Sequence, residues 1–149
     1  MLKSLDFDNA NNLIENILSE NDLDEVYYII VVSSGIESAG LLCYTFILDK
    51  LSKPTSNTIL YHKCARDILS NNLCHYSCAY EASLFHAKAM CVLEPGNVQN
   101  WETYLDIGAN RTKILTKQEI KEICNTILSL SPENIKGVTY LKNLDLGNV

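Results

Sequence analysis

The segment Cys74-His75-Tyr76-Ser77-Cys78 gathers residue types that do chemistry, with His62 and Cys64 upstream and His86 and Cys91 downstream. Cysteines at i and i+4 share a helical face, and a zinc site needs four such ligands converging as a tetrahedron. The close cysteine pair and matched second pair typical of zinc modules are missing, so the spacing favours a helix start with incidental thiols over a metal centre. A nucleophile would need one of these cysteines beside His62, His75 or His86, and a third group to orient the base. No glycine-rich elbow accompanies any cysteine, and no phosphate loop, dinucleotide fingerprint or pair of metal-binding carboxylates occurs elsewhere. A thiol or zinc enzyme is thus the remotest reading. The expectation is a non-catalytic chain with no cofactor and no metal.

The elements that must position these residues read as helices. Asp8 caps an amphipathic segment over 9–20 with Leu13, Ile14, Ile17 and Leu18 on one face. Val26 to Val32 has the β-branched and aromatic composition of a buried strand, yet nothing else in the chain offers a second strand, so a buried helix is favoured. Helical spacing resumes over 36–51 through Leu41, Leu42, Tyr44, Phe46, Ile47 and Leu51. Pro54 punctuates, Thr55 or Ser56 is placed to cap the next helix, and Ile59, Leu60, Cys64, Ile68 and Leu69 line its buried face as far as Asn71-Asn72.

Residues 76–92 read as the longest helix. Asn97 then caps a helix holding Val98, Trp101, Tyr104, Leu105 and Ile107, which Gly108 is expected to close. Thr116-Lys-Gln-Glu119 has the spacing of a capping box and opens a helix through Ile120, Ile123, Cys124, Ile127 and Leu128. After Ser131-Pro132-Glu-Asn, a last helix carries Ile135, Val138, Leu141 and Leu144.

At 149 residues the chain is long enough for one continuous core and too short for two independent domains, so a single helical domain over 1–149 is expected. No basic stretch followed by an apolar core opens the chain, and the longest apolar run, Val26 to Val32, is far short of the roughly 18 residues of a membrane span. A cytoplasmic protein follows, with its six cysteines as buried free thiols on apolar helical faces. Residues 1–50 carry nine acids against Lys3 and Lys50, whereas the remaining 99 carry nine acids and ten bases, so a net charge of -7 faces one of +1. An acidic end of this kind repels a phosphate backbone and steers a basic partner toward itself.

Leu93-Glu-Pro-Gly-Asn-Val98 and Leu130-Ser-Pro-Glu-Asn-Ile135 are alike, and Trp101 stands six residues after Pro95. With the small residues Ala82, Ala87 and Ala89 on the preceding helix, residues 73–144 resemble a degenerate tetratricopeptide repeat. Ala82 and Ala89 match that family's small positions, and Pro95 and Pro132 its closing prolines. The sequence departs from the family at Ile120 and Ile127, where small residues belong, and at Leu105, where the family has glycine. The resemblance implies an all-α domain of seven or eight helices, with antiparallel hairpins stacked as a short solenoid.

In size, acidity and lack of chemistry the chain also resembles bacterial immunity proteins, which cover the active site of a toxin. That resemblance implies a basic, nuclease-type toxin domain as partner, with no nucleic acid or membrane bound. Partner contact is expected at Glu15, Glu20, Asp22, Asp24 and Glu25, with Tyr27, Tyr28, Trp101 and Tyr104 adding contact area, because interfaces favour aromatic anchors. The rival reading is a repeat-type adaptor or secretion chaperone holding a peptide in its concave face.

Overall fold

The computed structural model describes residues 37–146, whose regular elements are all helices, with no strand among the described residues. Six α-helices follow one another: α1 (Glu37–Leu51), α2 (Thr58–Asp67), α3 (Ala79–Leu93), α4 (Val98–Leu105), α5 (Lys117–Leu130) and α6 (Ile135–Asp145). That is fewer than the seven or eight expected; the helices anticipated over 9–20 and around Val26 to Val32 lie outside the described residues. Each helix packs on its neighbours in sequence, and α3 is the central element, touching α2, α4 and both turns described next.

Helix α2, with the turn that continues it, ends at Asn72 as the sequence suggested, whereas α4 does not stop at Gly108. Helix α2 runs into a π-helical turn, Ile68–Asn72, closed by the Leu73 amide donating to the Ile68 carbonyl at 2.9 Å. Helix α4 likewise continues into a π-helical turn, Asp106–Arg111, instead of ending at Gly108. The glycine has another purpose there. A Cβ on Gly108 would lie 2.3 Å from Cδ1 of Leu115, so the missing side chain lets Leu115 fold back over the turn. The Ile114 and Leu115 amides both donate to the Gly108 carbonyl, and the Thr112 hydroxyl donates to the Ile107 and Gly108 carbonyls. These bonds satisfy carbonyls that a helix end leaves without intrahelical partners.

The buried side chains form two clusters. The first joins Phe46 and Ile47 of α1, Leu60, Tyr61, Cys64 and Ala65 of α2, Ile68 and Leu69 of the first π-helical turn, Leu73 and Ala79. The second joins Leu84, Ala87 and Cys91 of α3 to Tyr104, Leu105, Ile107, Leu115 and the Ile120, Ile123, Cys124 and Ile127 face of α5. Of the small residues read onto one face of α3, Ala87 is buried, while Ala82 and Ala89 are half-buried. Ile135, expected on the packed face of α6, is 82% exposed.

The capping residues foreseen in the second cluster are in place. Asn97 accepts from the Gln99 amide, and Thr116 and Glu119 form the reciprocal box. Asn134, which the sequence reading did not single out as a cap, accepts from the Gly137 amide. The start of α2 differs: the helix begins too late for Thr55 or Ser56 to cap it, and Asn57 stands at the cap without a side-chain bond. Thr55 instead closes the preceding turn, its hydroxyl oxygen accepting from the Asn57 amide. Helix α3 begins at Ala79 and not at 76, because Cys78 takes a left-handed conformation with φ of 65°.

Candidate functional site

A cleft of about 510 Å³ opens between α2 and α4, above the C-terminal end of α3. Alternating exposure along the helices builds it: α2 buries Leu60, Tyr61, Cys64 and Ala65 and turns Ile59, Lys63 and Arg66 toward α4. From the other side α4 contributes Gln99, Asn100 and Thr103, which its periodicity places on one face. Met90 and Glu94 line the end contributed by α3.

Most of the charge in the cleft is already paired. Arg66 grips the neighbouring Asp67 carboxylate through Nε at 2.6 Å and Nη2 at 2.9 Å, and its Nη1 reaches Met90 Sδ at 3.5 Å. Glu94 accepts from the amides of Asn97 and Asn100, at 3.0 and 3.2 Å. Asn100, only 6% exposed, also donates to the Met90 carbonyl. Besides Lys63, what remains is a wall of side-chain amides and the Thr103 hydroxyl beside aliphatic groups, chemistry that suits a peptide main chain and its apolar side chains.

A second, more open cleft of about 590 Å³ lies between α4 and α6. Lys136 bridges Asp106 and Glu102 there, Asn134 donates to Glu102, and the Tyr140 hydroxyl donates to Asp106 at 3.4 Å. Burial, then the Asp106 charge, pushes the Tyr140 hydroxyl up to about 12.

The residues singled out in the sequence fall in several places. Glu15, Glu20, Asp22, Asp24, Glu25, Tyr27 and Tyr28 lie outside the described residues. Trp101 and Tyr104 sit on the face of α4 turned away from the first cleft, beside Lys88, Glu119, Glu122 and Thr126. Trp101 is half-buried, and its indole N–H donates to the Pro95 carbonyl at 2.9 Å, bracing the α3–α4 link. The Tyr104 ring is buried, and burial raises its hydroxyl above the ordinary tyrosine value. Of the other tyrosines, Tyr61 is buried and Tyr76 exposed.

The cysteines and histidines do not converge. Among the described residues, no group of three or more His, Cys, Asp or Glu side chains is arranged to hold a metal ion. All six cysteines are free thiols, but only Cys64, Cys91 and Cys124 are buried as expected; Cys43 and Cys74 are half-buried, and Cys78 is exposed in the turn before α3. Burial pushes Cys64 and Cys91 up to about 12 and Cys124 up to about 11. At neutral pH these three thiols stay protonated, which disfavours nucleophilic attack.

His62 and His86 do meet, Nδ1 to Nδ1 at 2.9 Å, and the Tyr44 hydroxyl lies 3.3 Å from Nε2 of His86. Sequence reading paired these histidines only with cysteines. No periodicity argument joins positions 24 apart on two helices; the packing of α2 on α3 brings them together. Compared with known proteins, the chain matches no family model, no curated protein and no solved structure.

Proposed function

We propose that this chain is a non-catalytic protein-interaction module, acting in the cytoplasm as an immunity protein that binds and blocks a basic, nuclease-type toxin domain. The distribution of charge carries this reading. Residues 1–36 hold seven acids and one base, whereas residues 37–149 hold eleven of each, so the whole net charge of -6 belongs to the first 36 residues. A nuclease presents a cationic cleft to its substrate. An acidic partner associates with it quickly through long-range attraction and competes directly with nucleic acid.

Two features of the described part support a binding role over a catalytic one. Three buried thiols are held protonated, and the cleft charges are largely spent on internal pairs. No helix among the described residues is long and apolar enough to cross a membrane.

Capture of the partner from the native organism, followed by association kinetics with a charge-reversed variant, tests the proposal. Replacing Glu15, Glu20, Asp22, Asp24 and Glu25 together by lysine is expected to slow association by tenfold or more at low salt, on the order known for steered complexes. Its salt dependence should weaken while the circular dichroism spectrum stays helical. An unchanged on-rate at low salt would remove the acidic residues from recognition.

The cleft between α2 and α4 favours a second reading, in which the chain is a repeat-type adaptor or secretion chaperone holding a peptide. That reading carries with it the proposal that the helices stack as antiparallel, tetratricopeptide-like hairpins. Its mark is affinity for a short segment of the partner that Lys63→Glu with Thr103→Lys abolishes and charge reversal of residues 15–25 leaves intact.

A further inference from the structure

His86 is 2% exposed at the junction of α1, α2 and α3, and each of its ring nitrogens faces a partner. Tyr44 comes from α1, His62 from α2, and the Tyr44 and His86 rings meet edge to face at a centroid distance of 5.9 Å. Phe85, beside His86 on α3, leans over His62 at 6.4 Å. The chain Tyr44–His86–His62 therefore ties three helices through one buried imidazole.

The proton count of this chain is constrained. The Nδ1–Nδ1 bridge holds a single proton, so one histidine donates and the other accepts, whichever tautomer is present. If His86 donates, its Nε2 accepts from the Tyr44 hydroxyl; if His62 donates, Nε2–H of His86 donates to the Tyr44 oxygen. A first added proton sits on an outer nitrogen and leaves the bridge whole. A second places N–H against N–H across 2.9 Å and two positive charges in a buried junction, which breaks it.

We propose that the Tyr44–His86–His62 chain is an acid-sensitive latch at the α1–α2–α3 junction, which stays closed while the imidazoles are neutral and, when they take up protons, opens at the His62–His86 bridge, so that water enters the junction that α1 covers through Tyr44 and α1 loosens. Among the described residues, the groups facing the pair are Tyr44 from α1, His62 from α2 and Phe85 from α3, and none of them is a carboxylate that would stabilise an imidazolium. Burial first, then the His62 charge, holds His86 down to about 4, and burial lowers His62 as well.

The sign follows from linkage. The open state binds protons near the ordinary histidine value of 6.5 and the latched state only at lower pH. The latch is therefore fully effective above that value and weakens progressively as pH falls from it toward about 4.

Amide hydrogen exchange on the full chain, read by mass spectrometry at about pH 7 and about pH 5 with intrinsic rates corrected, tests the latch. Helix α5 is the internal reference, because no histidine occurs after His86. Protection of α1 relative to α5 should fall roughly tenfold or more between the two conditions. His86→Gln, which keeps polar groups at the junction without titrating, should remove most of that fall. His62→Gln, at a half-buried position, gives the same reading if the first variant does not fold.

Imidazole nitrogen shifts supply an independent measure, with both rings expected to titrate below free histidine. Equal loss of protection in α1 and α5, an undiminished fall in the glutamine variants, or ordinary titration of both rings would each overturn the latch.

Discussion

Helices α4, α5 and α6 each begin at a side chain that caps them, whereas α2 and α3 begin where none does. The α4–α6 half is stabilised by short-range chemistry: Asn97, the Thr116–Glu119 box and Asn134 satisfy first-turn amides within three residues. Its core is an aliphatic face of α5 against Leu105 and Leu115, with Tyr104 and Cys91 among the packed side chains. The α1–α3 half places polar atoms between helices. His86, Ser83 and their partners bridge α3 to α1 and α2, the Ser83 hydroxyl donating to the Arg66 carbonyl at 3.0 Å, and Cys78 holds a strained left-handed conformation before α3. The α4–α6 half caps its helices locally and also ties α6 to the end of α4 through Lys136, Asn134 and Tyr140, whereas the α1–α3 half has uncapped starts at α2 and α3 and relies on contacts between helices. The buried histidine pair belongs to the α1–α3 half, while left-handed residues occur in both, Cys78 before α3 and Lys113 before α5.

Deletions in the two cores give the largest test of this contrast. Ile127→Ala and Ile68→Ala each remove a fully buried side chain, one from each cluster, and each should cost about 2 to 5 kcal/mol. Because α3 contributes Ala79 to the first cluster and Leu84, Ala87 and Cys91 to the second, the halves should still unfold together. Urea transitions followed by Trp101 fluorescence, which reports the second half, and by circular dichroism should coincide in both variants. Separate transitions after Ile68→Ala would show that the halves are independent units.

Gly108→Ala ranks next. The added methyl would overlap Cδ1 and Cγ of Leu115, at 2.3 and 2.5 Å, and crowd Leu84 Cδ1 at 3.1 Å. An overpacking cost of about 1 to 3 kcal/mol is expected, read as a lower urea midpoint. A gain in stability, as alanine for glycine gives in an unobstructed helix, would mean that Leu115 does not need the open face.

The smallest effects compare the helix starts. Thr116→Ala should cost about 1 kcal/mol by removing the box. The Thr116 backbone and side-chain bonds hold the Glu119 carboxyl below its ordinary value, so the box contributes above that value and fades as pH falls through the lower, folded one. Cys78→Gly, at a φ of 65°, should instead raise stability by roughly half a kcal/mol, as relief of left-handed strain offsets the greater freedom of the unfolded chain. Thermal melts of both variants check the pair. A destabilised Cys78→Gly would show that the cysteine side chain contributes more than its conformation costs.

How much was legible follows the same division. Asn97, Thr116 and Glu119 could be read because a cap is a matter of residue type and a spacing of two or three. The apolar periodicity that placed Ile120, Ile123, Cys124 and Ile127 together is likewise a property of one helix. The sequence also carried the all-helical class of the described residues and the uneven charge, since both follow from composition along a single line of chain.

Tertiary structure decided what depends on two elements meeting. Gly108 read as a helix stop because glycine commonly closes helices, yet its role was set by Leu115 returning seven residues later to lie where a side chain would be. The cleft between α2 and α4 and the bridge from His62 to His86 to Tyr44 arise in the same way, from side chains far apart in sequence brought together by packing. A pattern within one helix fixes which face is buried. It does not fix which residue of another helix that face will meet.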